Sequence, residues 1–256
     1  MSSFLQAYKI NEVRQENAAN KTLVLDGALD AEPGQFVMAW LPGMQDKPFS
    51  LAQANPLSLT IAAVGPLSRA IHQLQPGDRL WVRGPLGRGF RLTGAPGDHL
   101  LLIGGGYGVA PLRYLAQTAL ARGCRVSAII GARRQADLLL AADFESLGAA
   151  VWLTTEDGSA GIRGLVTDAI GPLLAAEWGR PAAVYTCGPT GMLRAVAARC
   201  AAEAIPVQVS WEAHMRCGIG LCGSCEVGDG WLTCLDGPVF DFDPEQTPPP
   251  PGGGPV

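Results

Sequence analysis

The chain has 256 residues, nearly half of them apolar, with 16% charged side chains and a net charge of −4, enough for one large domain or two to three small ones with a sizeable core. It contains no run of Lys or Arg, which argues against nucleic acid as the main partner. The N-terminus "MSSFLQAYKINEVRQ" has no basic start followed by an apolar stretch, and "HLLLIGGGYGVAPL" is too short and glycine-rich for a membrane span, so a cytoplasmic location is expected, where clustered thiols suggest metal or catalysis over disulfides.

Residues 1–95 carry short apolar runs closed by Gly or Pro: "KTLVLDG", "GQFVMAWLPG", "LSLTIAAVG" and "DRLWVRGPLG". Several alternate or are β-branched, the pattern of an antiparallel β-barrel or sandwich. Within this region "KPFS" (Lys47, Pro48, Phe49, Ser50) reads, taken alone, as a turn with a core Phe.

Residues 96–209 change rhythm. Strand-like runs "HLLLIG", "CRVSAIIG", "AAVWLTT", "AAVYTCG" and "IPVQVS" alternate with alanine-rich stretches near Pro111–Arg122, Ala136–Leu147, Gly164–Trp178 and Thr190–Ala204. This alternation predicts an α/β domain, a parallel sheet with helices on both faces. Gly104, Gly105, Gly106 and Gly108 lie between the first strand and first helix, where a backbone without side chains can approach a phosphate at a helix N-terminus. The alternative is a tight turn without a ligand. "YTCGPTGML" ends a later strand, with Cys187, Gly188 and Pro189 where α/β folds place ligands. Cys187 is either a thiol with a lowered pKa near a helix N-terminus or a buried strand-end cysteine. "TTEDGSAGIRG" either meets a ribose or makes a solvated turn, and Arg133 and Arg134 either greet a 2′-phosphate or are solvated. Cys124 and Cys200 read as ordinary buried or helix-end cysteines.

Residues 210–243 hold Cys217, Cys222, Cys225 and Cys234, spaced C-x4-C-x2-C-x8-C. Structural zinc sites usually bring two close pairs. The x4-then-x2 spacing matches the plant-type [2Fe-2S] loop, with a fourth cysteine further on. Gly218, Gly220 and Gly223 let the chain curl around such a cluster with N–H groups aimed at the sulfurs. His214 is expected to be solvated or to sit behind the ligands. Residues 244–256, "PEQTPPPPGGGPV", read as a flexible Pro/Gly tail.

Taken together and in this order, "KPFS", "GGGYGVAPL" and "CGPTGM" resemble the R-x-[YF]-[ST], G-G-G-x-G-x-x-P-L and C-G-P-x-x-M motifs of the ferredoxin–NADP reductase superfamily. "SWEAHMRCGIGLCGSC" with "CLDGPVF" further resembles the electron-transfer subunits of B-type dihydroorotate dehydrogenases. The resemblance implies an antiparallel β-barrel FAD domain, an α/β NAD domain and a small [2Fe-2S] module. It places Lys47, Pro48, Phe49 and Ser50 on the FAD, Ser50 near flavin N5, with Ala62, Ala63, Val64, Leu67 and Ser68 in a second FAD segment. Lys47 stands where Arg is usual and lacks the bidentate fork. The glycine loop would hold the pyrophosphate of NAD(H), the co-substrate, and Cys187, Gly188 and Pro189 would sit beside the nicotinamide. Cys187 and Ser50 would thus flank the hydride-transfer centre, and the four loop cysteines would ligate the cluster. It also implies a separate FMN-containing catalytic subunit, joined in a heterotetramer, and a role in pyrimidine biosynthesis. The second FAD segment departs from that subunit's usual Tyr, Arg and Gly-Thr. The alternative is a reductase module of the same kind serving a hydrogenase or sulfur-reducing partner, or acting alone.

Overall fold

In the computed structural model, which describes residues 4–176 and 178–242, alternation and turn chemistry build a first sheet from β1 (Gln6–Gln15), β2 (Asn20–Leu25), β3 (Phe36–Trp40), β4 (Lys47–Ser50), β5 (Gln53–Ala54), β6 (Leu57–Ala62) and, after the short α1 (Pro66–Ile71), β7 (Arg79–Leu86). The order is β4-β3-β7-β1-β2-β6-β5, and every pairing is antiparallel. The sheet rolls until β4 and β6 touch, enclosing Ile10, Leu23, Val37, Leu59 and Leu80. Helix α1 adds Leu67 and Ile71 to this barrel-like core. Strand β1 carries three charged residues among few apolar ones and has no closing Gly or Pro, so periodicity alone does not single it out.

The second sheet contains β8 (His99–Gly105), β9 (Arg125–Ala132), β10 (Ala150–Thr155), β11 (Ile162–Arg163), β12 (Ala183–Cys187), β13 (Val207–Ser210) and β14 (Val239–Asp241), in the order β11-β10-β9-β8-β12-β13-β14. All seven residues of β8 are buried, as a central strand covered on both faces requires. One face packs on α2 (Val109–Ala121) and α3 (Ala141–Leu147), the other on α4 (Val166–Leu174) and α5 (Thr190–Ala202).

Two helices are shorter than periodicity suggests. Leu139 and Leu140 are both buried, but Leu140 has φ 57°, outside the right-handed helical region, so α3 begins only at Ala141. Helix α4 starts where an Asp168 side-chain oxygen accepts the Leu165 N–H at 2.8 Å, contains Pro172, and stops two residues later.

The sheet is parallel except at its last pair. After the cysteine loop the chain returns as β14, antiparallel to β13, with Ser210 opposite Val239. The Trp211 N–H donates to the Pro238 carbonyl at 2.8 Å, closing the neck of the loop at the edge of the second sheet. Residues 238–242, at the end of the cysteine segment, therefore belong structurally to that sheet. The Pro/Gly tail of 244–256 lies outside the described residues.

Leu102, fully buried on β8 against the α2 side, tests this packing. Leu102→Ala is expected to cost about 2–5 kcal/mol, read as a lower urea midpoint by far-UV circular dichroism; a change under about 1 kcal/mol would contradict it.

Candidate functional site

Strand β3 is the wall around which the site is organised. On one side it pairs with β4, Met38 opposite Pro48, Val37 opposite Phe49 and Phe36 opposite Ser50. Phe36 and Met38 also enter a small core with Ala213, Met215, Cys225, Val227 and Cys234 of the cysteine loop. A side chain on Gly218 would sit 3.0 Å from Met38 Cγ and 3.3 Å from Leu86 Cδ1, so the loop lies directly on the barrel. The "KPFS" strand thus lies one strand spacing, ~5 Å, from the strand on whose side chains the cysteine loop packs.

Lys47, Pro48, Phe49 and Ser50 are all partly exposed. They form β4, an outermost strand, so one row of backbone groups has no strand partner. Within the 62–68 segment only part faces outward. Leu67 is in the barrel core, and the Ser68 hydroxyl is taken by the Gly65 backbone, accepting its N–H at 2.8 Å and donating to its carbonyl at 3.1 Å. Ala62 and Ala63 are half-buried and Val64 is 63% exposed. An outermost strand with a cation, a hydroxyl and partly exposed apolar side chains suits a flavin, a planar apolar ring with polar edges and a diphosphate.

The glycine loop touches β6, which leads into that segment. Gly106 has φ +55° and open space where a side chain would be, whereas a Cβ on Gly108 would come within 2.5 Å of the Cys187 carbonyl oxygen. One glycine leaves room for a diphosphate and the other lets two strand-end loops touch. Gly188 is buried against the Gly105 backbone and Pro189 precedes α5.

Cys187 is 4% exposed, and burial, then the charge of Glu212, pushes its pKa up to about 12 against a Ser210 hydrogen bond. Of the two readings of Cys187, a thiol activated by a helix N-terminus or a buried strand-end cysteine, the structure favours the second: desolvation outweighs the helix end. Its cover comes from two residues that periodicity and motif spacing leave unmarked. Gly104, Cys187 and Ser210 are register neighbours across β8, β12 and β13. Just past the two outer strands, Tyr107 Oη donates to Glu212 Oε2 at 3.1 Å, crossing the end of β12. The carboxyl is crowded by protein there, which raises the pKa of Glu212, while the Tyr107 hydroxyl pulls it down. A 43% exposed tyrosine among glycines was the one available signal.

The "TTEDGSAGIRG" segment closes on itself. Asp157 Oδ1 accepts from the Ser159 N–H and hydroxyl, and the Thr155 hydroxyl donates to the Ala160 carbonyl at 2.7 Å, which favours the solvated turn. Arg133 and Arg134 are exposed, with Arg134 held by Asp137 at 3.0 Å. His214 is exposed, and Cys124 and Cys200 are buried.

In the cysteine loop, backbone N–H groups point at sulfur: Ile219 and Leu221 to Cys217 at 3.5 and 3.3 Å, Gly220 to Cys234 at 3.2 Å, and Cys234 to Cys225 at 3.5 Å. Such donors stabilise thiolate charge. Cys222 interacts with Cys217, and Cys234 with Cys225. Among the described residues no three His, Cys, Asp or Glu side chains gather closely enough for one metal ion. Four thiols with backbone donors aimed at three of them, at x4-x2-x8 spacing, are the ligand chemistry of a [2Fe-2S] centre. Hydrogen bonding with Ser224 pulls exposed Cys222 down to about 6, whereas burial and Cys225 push Cys234 up to about 12; Cys234 would ionise only with metal charge beside it. The cysteine loop exposes four large apolar side chains, Ile219, Leu221, Trp231 and Leu235.

Residues 212–244 match the iron-sulfur cluster binding domain of dihydroorotate dehydrogenase B, and residues 102–198 an oxidoreductase NAD-binding domain. A protein of Methanocaldococcus jannaschii named probable dihydroorotate dehydrogenase B (NAD(+)), electron transfer subunit, is 39% identical over 91% of this chain and 88% of its own. One of the same name from Thermococcus kodakarensis is 42% identical over 83% and 86%. Among solved structures, an NADH-dependent reduced ferredoxin-NADP oxidoreductase, described in connection with flavin-based electron bifurcation, superposes with TM-score 0.81 and 26% identity over 94% of this chain and 90% of that one.

With its thiol buried and protonated, Cys187 is expected to resist iodoacetamide in the native protein from pH 7 to 9. Peptide mass spectrometry reads this; rapid labelling at Cys187 before unfolding would contradict the burial.

Proposed function

The chain belongs to the family of dihydroorotate dehydrogenase B electron-transfer subunits, and on that premise we propose that it passes electrons between NAD(H), a bound FAD and a [2Fe-2S] cluster, exchanging them with an FMN-containing subunit that acts on dihydroorotate. The observation that carries this reading is the shared wall: β3 pairs with the "KPFS" strand and packs against two of the four loop cysteines. When bound, FAD would supply the conversion between the two-electron hydride chemistry of nicotinamide and the one-electron chemistry of an iron–sulfur cluster.

The protein's own residues would position and shield. Lys47 would hold diphosphate charge as a point cation, Phe49 would offer an apolar face, and Ser50 a hydroxyl beside the reacting edge. Gly106 would admit the pyrophosphate of the dinucleotide, and Gly108 and Gly188 would keep the two loops in contact behind it. The Tyr107–Glu212 hydrogen bond covers Cys187, so the nicotinamide ring would reach Cys187 by displacing that bond. Cys217, Cys222, Cys225 and Cys234 would hold the cluster, and the exposed apolar side chains of the loop would meet the partner subunit. NAD(H) is favoured over NADP(H) because the relatives are named for NAD(+).

A second reading keeps the same relay and changes its partner. The likeness to the NADH-dependent oxidoreductase and the departures at Ala63, Val64, Leu67 and Ser68 favour it. Anaerobic purification from the native cell separates the two. The first reading expects an FMN protein to co-purify and dihydroorotate to drive NAD+ reduction in the complex. Fast dye reduction by NADH, with neither a flavoprotein partner nor dihydroorotate-dependent activity, would contradict it.

A further inference from the structure

Two charged side chains lie between the "KPFS" strand and the cysteine loop, and neither belongs to a motif. Arg83 stands on β7 opposite Met38 of β3. Its Nη2 donates to the Cys217 carbonyl at 2.8 Å and lies 3.4 Å from Asp46 Oδ2. Asp46 immediately precedes Lys47. Both side chains are mostly shielded, 20% and 29% exposed, so their charges are screened less than at an open surface. Arginine stays charged at every working pH, which places a fixed positive charge beside the peptide of the first cysteine. The next residue, Gly218, is the one pressed onto Met38. Arg83 therefore fastens the loop at the point where it meets the flavin strand.

We propose that Arg83 is a positioning residue that sets the reduction potential of the iron–sulfur centre through the Cys217 peptide, with Asp46 as its opposing charge. The inference rests on the iron–sulfur reading of the loop. Adding one electron to a centre held by four thiolates adds one negative charge and releases no group. A nearby guanidinium favours the more negative state and raises the potential; a nearby carboxylate lowers it. The pair thus makes opposite predictions for its two members, which a merely structural bridge does not.

The test compares the full-length wild type with Arg83→Gln, Arg83→Lys and Asp46→Asn, purified anaerobically, with iron counted and the cluster midpoint titrated by electron paramagnetic resonance. Arg83→Gln is expected to lower the midpoint, Arg83→Lys to stay nearer wild type, and Asp46→Asn to raise it. If Arg83→Gln holds no iron, Asp46→Asn decides, since the Asp46 carboxylate bonds Arg83. A midpoint in Asp46→Asn that is unchanged or lower, or one in iron-loaded Arg83→Gln that is unchanged or higher, overturns the proposal. A wild type lacking iron and any reduced-state signal would instead overturn the iron–sulfur reading itself.

Discussion

The packing of the cysteine loop onto β3 is the contact on which the rest depends. Phe36 and Met38 face the loop and occupy the same core as Cys225 and Cys234, while the backbone of β3 is hydrogen-bonded to the strand that carries Lys47 to Ser50. The absence of a side chain on Gly218 sets how closely the loop approaches. A rigid strand shared by two sites fixes their separation more firmly than a flexible linker would.

The loop is also held from behind. Its neck closes at Trp211 and Pro238, and its exit becomes β14 on the edge of the second sheet. Arg88 adds a tie from the barrel, its N–H donating to the Gly237 carbonyl. The same edge carries Ser210, Glu212 and, one strand further in, Cys187. The barrel, the nucleotide sheet and the cysteine loop thus meet at one corner, which is where the glycine loop and its Tyr107–Glu212 bond lie.

Local chemistry was legible in the sequence. Ligand spacing in 217–234, the glycines after β8 and the strand–helix alternation are short-range patterns, and each maps onto the expected element. Features that rest on distant contacts were not legible. Arg83 meets Cys217 from 134 positions away, and β14 is a three-residue strand defined only by its partner. The pKa of Cys187 could not be read from its place before a helix, because it is set by burial in the assembled sheet and by the charge of Glu212 from beyond the end of β13. Helix α3 starts late because Leu140 takes a left-handed φ of 57°, which the pattern of apolar residues does not announce.

The central claim is that nicotinamide, flavin and cluster sites form one continuous path in this chain. Anaerobic addition of NADH to the isolated, cofactor-loaded protein, followed by electron paramagnetic resonance, tests it most directly. The account predicts that the signal of a reduced [2Fe-2S] cluster appears as the flavin absorbance bleaches, without any partner present. Flavin bleaching with a cluster that stays oxidised, although dithionite reduces it, would contradict the path across β3.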